Sequence, residues 1–248
     1  MSLSIKASLA SRIRAARERS GFSQQQLAER AGFNAHQIVS QIERGEREIK
    51  AEELVRLARA LFVSVADLLS QEPTSQPRIL WREIPEDYKT KEADFAQRFR
   101  RFHFVERMAG AETPRVRIMW PPPTSNIGTM NWWEVEQFAE NMRLALQLGP
   151  RPAYALIPNT ENVMGIQVWH VDMGESGSGA CLVDGDSAAI FLNHRESPWR
   201  QHFSFAHELF HILTWNEDIV TEMQKDVGFR KKVEQRADAF ASALLLPA

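Results

Sequence analysis

The uneven distribution of proline is the feature that most constrains the fold of this chain. All 12 prolines lie at or beyond Pro73, and the residues before it contain only three glycines. Proline removes a backbone donor and glycine weakens helices, so their scarcity before Pro73 favours an uninterrupted series of helices. The polar run 71–77, which contains two prolines, predicts a linker. We therefore expect an α+β chain whose N-terminal part is entirely helical.

The chain beyond the linker predicts a mixed domain with a small sheet. Apolar residues at helical spacing alternate there with short strand-like runs. Helices are expected over 91–108, 131–148, 203–214 and 229–246, and strands over 165–171, 180–183 and 188–192. The glycines at 174, 177, 179 and 185 are not followed by Gly-Lys-Ser/Thr, so they predict a turn and not a phosphate loop. The predicted domains are 1–70, a linker and connecting helix over 71–110, and 111–248.

Composition excludes several classes of protein. Hydrophobic residues make up 44% and charged residues 25% of the chain, which is ordinary for a globular protein. No run is long and apolar enough to span a membrane, and the first 20 residues lack the apolar core of a secretory signal. Cys181 is the only cysteine, which excludes an intramolecular disulfide and a cysteine-based zinc site. We expect a cytoplasmic protein with no membrane partner.

The charge is divided unevenly between the two parts. Residues 1–70 carry 11 Lys/Arg against 8 Asp/Glu, a net charge of +3, and residues 71–248 carry 19 against 24, a net charge of −5. A basic N-terminal part on an acidic body indicates that any contact with nucleic acid lies in the N-terminal part. The excess is small, and an ordinary solvated surface also explains it.

The helical part contains the pattern of a helix-turn-helix. Ser23 followed three residues later by Gln26 has the form of a capping box that begins a helix. Gly32 permits a sharp turn, Asn34 is the expected cap of the next helix, and Gly45 is its expected terminator. Two short helices around a glycine turn, within about 70 residues, are typical of a DNA-binding domain.

The segment 12–69 resembles the Xre/Cro family of repressor domains. The matching residues are Ser23-Gln24, Leu27-Ala28, Gly32, Ile42-Glu43-Arg44-Gly45 and Leu57-Ala58. The resemblance implies that the second helix enters the major groove of double-stranded DNA. The residues that it implies for DNA contact are His36, Gln37, Ser40 and Gln41, with Gln24 on a phosphate or base edge and Arg44 and Arg47 on phosphates. The chain is one residue longer than the usual pattern near 34–38, which leaves the register of these residues open. A helical interaction domain that does not bind DNA is the alternative.

A second motif, His207-Glu208-Leu209-Phe210-His211, predicts a metal site. Residues i and i+4 share one face of a helix, so both imidazoles can reach one ion. Glu208 lies beside His207 and can reach a water molecule on that ion. This is the HExxH arrangement of zinc metallopeptidases. The alternative is a pair of helix histidines satisfied by hydrogen bonds within the protein.

A third ligand is available further along the chain. Glu234 lies 23 residues beyond His211, near the start of a predicted helix. Three protein ligands and one water molecule are the usual set of a catalytic zinc ion. Asp238 lies one turn after Glu234 and can accept a hydrogen bond from the free ring nitrogen of a ligand histidine. The apolar residues around the motif favour a buried helix, where polar groups without partners are costly.

Residues 204–211 and 234–247 together resemble the ImmA/IrrE family of metallopeptidases. The second segment reads Glu-Gln-Arg-Ala-Asp-Ala-Phe-Ala-Ser-Ala-Leu-Leu-Leu-Pro, against a family pattern of Glu-x-x-Ala-Asn-x-Phe-Ala-x-x-Leu-Leu-x-Pro. The strand run that ends at Asn193 and the order of the two domains also fit. The resemblance implies one Zn²⁺ ion held by His207, His211 and Glu234, with Glu208 as general base.

Two departures from the family have expected consequences. Phe210 stands where a small residue is common, which would narrow the cleft or alter substrate access. The sequence ends at Ala248, where relatives usually continue, so we expect either a shortened C-terminus or a protein without later elements of the cleft. His194 or His202 is a candidate for stabilising an oxyanion.

Three functions follow as hypotheses. The first is a regulator with a zinc endopeptidase domain that cuts a repressor-like helix-turn-helix protein. The second is a transcription factor whose peptidase-like domain is a non-catalytic sensor or dimerisation module. A homodimer would read operator half-sites about 34 Å apart. The third is a metal-free interaction protein.

Overall fold

A computed structural model describes residues 2–69, 77–110, 127–175, 177–185 and 187–246. The chain divides into two compact units, each built from two separate stretches of sequence. The first unit joins Met1–Ser75 to Lys89–Glu112, and the second joins Gln76–Tyr88 to Thr113–Ala248. The segment predicted to connect two domains, 71–110, is thus shared between the units. The predicted α+β class is confirmed, with a helical N-terminal domain before a mixed one.

The first unit is helical throughout its described residues. Its elements are α1 (Ser2–Arg19), α2 (Gln24–Arg30), α3 (His36–Glu43), α4 (Ala51–Leu61), α5 (Val65–Leu69) and α6 (Tyr88–Met108). Ile13 of α1, Leu27 of α2 and Ile42 of α3 are fully buried together with Leu57 and Leu61 of α4. This core fixes the angle between α2 and α3.

The residues that cap α2 and α3 can be compared with the predicted ones. Ser23 accepts a hydrogen bond from the backbone of Gln26, whose side chain accepts one in return, so the predicted capping box is confirmed. The prediction for Asn34 is wrong, because Ala35 is the N-cap and makes no side-chain bond. Asn34 lies one position too early for its side chain to cap the helix. Gly45 follows the last turn with φ at 71°, as expected of a terminator.

Helix α6 packs with the first unit. Phe95 and Phe99 are buried, as their spacing predicts, whereas Phe102 is 38% exposed. The side chains of Gln97 and Arg100 donate hydrogen bonds to the carbonyls of Ser20 and Arg19 at the end of α1. These bonds satisfy carbonyls that α1 cannot satisfy itself, so α6 stabilises the end of α1.

The second unit is a four-stranded mixed sheet with helices. The strands are β1 (Arg78–Trp81), β2 (Gln167–Val171), β3 (Gly179–Asp184) and β4 (Ser187–Asn193). The helices are α7 (Trp132–Ala145), α8 (Pro152–Met164), α9 (Pro198–Leu213), α10 (Glu217–Lys225) and α11 (Val227–Leu245), with a 3-10 turn over Ile127–Thr129. The strand order is β1-β3-β4-β2, in which β2 and β4 are parallel and the other pairs are antiparallel.

The sequence predicted β2, β3 and β4 but missed three elements, β1, α8 and α10. Helix α8 contains Pro158 and begins with Pro152, and such prolines favour a loop assignment. Pro152 occupies the first turn, where its missing N–H costs nothing. Buried Leu156, Thr160 and Met164 hold the helix against the core despite Pro158. Packing has therefore overridden local propensity.

Helix α9 lies at the centre of the second unit. It packs against β3 and β4 on one side and against α11 on the other. Ten successive residues, Ser204–Leu213, are buried as a result. The predicted motif therefore lies in the buried C-terminal part of this helix. Among the described residues, no helix combines the length and apolarity needed to cross a bilayer.

Candidate metal centre and DNA-contact helix

Helix α9 brings the two predicted imidazoles together. Pro198 occupies its first turn, where the fixed φ of proline favours helix. His207 and His211 lie one turn apart, and their Nε2 atoms are 3.2 Å from each other. His207 is 1% exposed and His211 is 4% exposed. The pair therefore directs two nitrogen atoms, each a potential metal ligand, towards one buried point.

Helix α11 supplies the third predicted donor. The side chain of Asp226 caps the start of this helix by accepting from the backbone of Gly228 and Phe229. Two turns later, Glu234 places its Oε2 atom 3.0 Å from Nε2 of His207 and 3.6 Å from Nε2 of His211. Ligand atoms of the three residues all lie within 4.8 Å of one another. Two imidazole nitrogens and a carboxylate oxygen are a donor set that suits zinc.

Asp238 holds the other nitrogen of His207. Its Oδ1 atom accepts a hydrogen bond from Nδ1 at 2.9 Å, which directs Nε2 towards the other donors. Burial alone would lower the pKa of His207, but the hydrogen bonds to Asp238 and Glu234 outweigh it and raise the pKa to about 9. Burial would raise the pKa of Glu234, yet its bonds to the two histidines bring it far below the ordinary value. Each ring nitrogen of His207 is thus paired with a carboxylate oxygen.

Glu208 is a buried carboxylate with no nitrogen or oxygen partner. It is 0% exposed, neither of its oxygens makes a hydrogen bond of ordinary geometry, and its one polar neighbour of hydrogen-bonding type is the buried thiol of Cys181. Burial raises its pKa, although the charges of His207 and His211 offset part of this effect. Gly179 of β3 lies against it, since a Cβ atom there would be 3.4 Å from Oε1 of Glu208. A buried carboxylate without a nitrogen or oxygen partner, beside three potential ligand atoms, fits a site that holds an ion and its water.

Phe210 lies in the core. Its ring packs against Phe138 and Phe240, with centroid distances of 6.3 and 5.4 Å, and it is fully buried. This differs from the expectation that Phe210 narrows the cleft. The helical period explains the difference, because the residue before His211 faces another side of α9. The ring nitrogen Nδ1 of His202, a candidate oxyanion donor, lies 2.7 Å from the carbonyl of Pro198 in its own helix.

Sequence reasoning missed two arginines beside the donor group. Arg230 lies one turn before Glu234, with Nε 3.9 Å from Oε1. Arg82, directly after β1, lies 3.5 Å from Oδ1 of Asp238. Neither belongs to a motif, and the contact of Arg82 depends on the position of β1, which the sequence did not predict. A short apolar run after the linker was the only available signal for it.

Helix α3 displays part of the predicted DNA-contact set. His36, Gln37 and Gln41 are exposed and Ser40 is half-buried, while Val39 and Ile42 are buried on the opposite face. The exposed stripe is of the kind that can enter a major groove. The guanidinium of Arg44 is exposed and lies 3.0 Å from Glu46, and that of Arg47 lies 2.7 Å from Glu53. Each of these two guanidinium groups is thus paired with a neighbouring carboxylate.

Gln24 is engaged within the protein. Its Nε2 atom donates to Oε2 of Glu43 at 2.8 Å, and Arg17 binds both oxygens of the same carboxylate. Glu43 is buried, so this network ties the ends of α1, α2 and α3 together. The oxygen of the Gln24 amide and the second N–H of its amide nitrogen are left for an outside partner. The sequence did not reveal this network.

Comparison with known families identifies both parts of the chain. Residues 13–68 match a family model described as a helix-turn-helix. Residues 161–248 match a peptidase family model described as an IrrE N-terminal-like domain. No match was found among curated proteins or among solved structures. The matches confirm the predicted fusion of an Xre-type helix-turn-helix with an ImmA/IrrE-type domain. Strand β1 and helices α6 and α7 lie outside both matched ranges.

Proposed function

We propose that the chain is a DNA-binding transcriptional regulator with a zinc-dependent endopeptidase domain. The observation that carries the proposal is the convergence of His207, His211 and Glu234, whose ligand atoms lie within 4.8 Å of one another beside the buried carboxylate of Glu208. These three residues would hold one Zn²⁺ ion. The alternative of two helix histidines satisfied by the protein explains their hydrogen bonds but does not explain Glu208.

The chemistry is peptide hydrolysis. A bound Zn²⁺ ion lowers the pKa of a ligand water towards ~7 and polarises a carbonyl. Glu208 would accept the proton of the attacking water, and burial, which raises the pKa of its carboxyl, makes it a stronger base than an exposed glutamate. It then gives this proton to the amide nitrogen as the C–N bond breaks, so that no other proton source is needed. Asp238 keeps the proton of His207 on Nδ1 and leaves Nε2 free to bind.

The proposed partners are double-stranded operator DNA and a protein substrate. The matched helix-turn-helix and the exposed stripe on α3 support DNA binding. A repressor-like helix-turn-helix protein is the proposed substrate, on the strength of the family resemblance. We further propose a cytoplasmic location and a homodimer that reads half-sites about 34 Å apart.

The test combines metal analysis with cleavage. Purified full-length protein should carry about one zinc ion per chain, and it should cut a cognate repressor in a zinc-dependent way. Glu208→Gln should keep the zinc and lose cleavage, while Glu222→Gln, an exposed change on α10, should leave both unaltered. Equal cleavage by the wild type and Glu208→Gln would overturn the peptidase proposal.

The burial of the site favours a second candidate, a regulator whose peptidase-like domain is a non-catalytic sensor or dimerisation module. A general base must meet water and substrate, yet Glu208 is 0% exposed. On this hypothesis zinc would alter operator binding without any cleavage. Operator affinity measured with and without zinc, beside the cleavage assay, separates the two candidates. If the protein binds all DNA sequences equally at low salt, this result would count against operator-specific regulation in both candidate functions.

A further inference from the structure

We propose that Arg82 is a positioning residue of the metal centre, which holds Asp238 and through it orients the imidazole of His207. The inference rests on the proposed zinc site. It adds the residue that directly follows β1, a strand outside both family-model matches. Four contacts of Arg82 support it, and all of them lie within the second unit.

The sheet places the backbone of Arg82. Trp81, the last residue of β1, pairs with Ala180 of β3 and is buried. The backbone N–H of Arg82 donates to the carbonyl of Gly179 at 3.2 Å, which continues the β1–β3 ladder by one more bond. The side chain of Arg82 therefore starts from a backbone held by the sheet, beside the glycine that contacts Glu208.

The guanidinium of Arg82 is held by α9. Its Nη1 atom donates to Oγ of Ser204 at 3.0 Å, and its Cζ atom lies 4.9 Å above the ring of Phe203. Ser204 in turn donates its hydroxyl proton to Glu196 at 3.3 Å, so its oxygen is free to accept from Arg82. The Arg82 side chain is 18% exposed. A cation stacked on a ring and bonded to a buried hydroxyl has little freedom to move.

This anchored cation reaches Asp238. Its Nη2 atom lies 3.5 Å from Oδ1, the same oxygen that accepts the Nδ1 proton of His207 at 2.9 Å. The Asp238 side chain is 52% exposed, so its bond to His207 alone would compete with water. Arg82 approaches from β1 and holds the carboxylate on its imidazole side. The consequence is a fixed orientation for Nε2 of His207, the atom offered to the ion.

Two other roles for Arg82 lead to different measurements. A brace between β1 and α9 would affect stability towards denaturant but leave zinc affinity unchanged. A substrate-binding arginine would affect KM but leave zinc affinity unchanged. A positioning role through Asp238 alters zinc affinity, and its effect depends on the presence of the Asp238 carboxylate.

The experiment measures the zinc affinity of the full-length chain by competition with a chromophoric chelator. Loss of the partner of a ligand histidine costs about 10–100-fold in metal affinity, so Asp238→Asn should weaken binding by that amount. Arg82→Met acts one step further away and should weaken it by about 3–10-fold. The double variant should bind zinc about as tightly as Asp238→Asn alone, because coupled residues are not additive. Arg82→Lys should restore part of the loss.

Arg78→Met is the matched control. Arg78 lies on the same strand, but its guanidinium pairs with Glu217 of α10 at 3.0 Å. Its removal should leave zinc affinity unchanged. Tryptophan fluorescence checks that each variant is folded. If Arg82→Met does not fold, the cycle is repeated with Arg82→Gln and Asp238→Asn.

The outcomes separate this inference from the proposed function. A wild-type chain that binds no zinc would overturn the proposed metal centre and this inference with it. A wild type that binds zinc, beside an Arg82 variant of equal affinity, would overturn the inference and leave the proposed function intact. Additive losses in the double variant would also overturn it, since they would show that Arg82 acts without Asp238.

Discussion

The charge of Glu208 should destabilise the metal-free protein. Its carboxylate is 0% exposed, and neither oxygen has a nitrogen or oxygen partner, so the thiol of Cys181 is the one weak donor beside it. A buried polar group without a partner costs about 1–3 kcal/mol, and more when it is charged. The attraction of His207 and His211 offsets part of this cost. Glu208→Gln keeps the shape and removes the charge. We therefore expect the metal-free variant to be more stable than the wild type by about 1–3 kcal/mol at pH 8.

This gain should depend on pH with a definite sign. Burial raises the pKa of Glu208 above its ordinary value of 4.5. The folded protein then holds this proton more tightly than the unfolded chain, so the penalty is absent below pH 4.5 and grows as the pH rises through the folded-state pKa. The advantage of Glu208→Gln should accordingly be largest at pH 8 and should vanish near pH 4. Added zinc should reduce the stability advantage of Glu208→Gln over the wild type, because bound zinc and its water would give the wild-type carboxylate a partner.

Tryptophan fluorescence suits this assay. All seven tryptophans lie between Trp81 and Trp215, in the second unit, so urea unfolding followed by fluorescence reports on the unit that contains Glu208. A gain of 1 kcal/mol corresponds to a rise in Tm of about 2–4 °C for a unit of this size. Glu222→Gln serves again as the control. A variant less stable than the wild type at pH 8, or a gain independent of pH, would refute the reasoning.

Three further predictions concern the core of the second unit and the helical first unit. Phe210→Ala should cost the second unit about 3–5 kcal/mol in urea unfolding, because it empties the space between Phe138 and Phe240; a small loss would show that the ring is not part of the core. Burial would raise the pKa of Glu53, but the backbone of Lys50 and the side chain of Arg47 lower it below 4.5, so the stability that Glu53 adds is present above pH 4.5 and is lost as the pH falls. The difference in unfolding free energy between the wild type and Glu53→Gln, followed by far-UV circular dichroism, should therefore shrink from pH 6 to pH 3.5. Arg44→Met should weaken binding to all DNA sequences and reduce the slope of log affinity against log salt concentration by about one. Gln37→Ala should weaken binding to the operator alone, by about 1–3 kcal/mol. An equal loss on all sequences would contradict a base contact by Gln37.

Helical geometry made the metal site predictable. His207 and His211 are one turn apart, as are Glu234 and Asp238, so each pair had to share a face once its helix formed. The structure brings all four side chains together. Their assignment as zinc ligands and partner remains a prediction. Their proximity followed from two local periodicities and one tertiary contact between α9 and α11.

Contacts between distant and irregular segments were not predictable. Arg82 reaches Ser204 across 122 residues, and a four-residue strand carries no periodic signal that could reveal it. The pairing of Gln24 with Glu43 likewise joins two helices through polar side chains that look exposed in sequence. Asn34 was expected to be a cap because asparagine is a good one, but the start of α3 was set one residue later.

Each unit is built from two separate stretches of sequence, and this limits how the protein can be divided into fragments. Gln76–Tyr88 belongs with the C-terminal residues and Lys89–Glu112 with the N-terminal ones. A break at any one boundary therefore leaves a fragment without β1 or without α6. A single proteolytic cut therefore cannot release both units intact. Truncated versions that begin near residue 111 would lose Arg82, so an inactive fragment would say nothing about the whole protein.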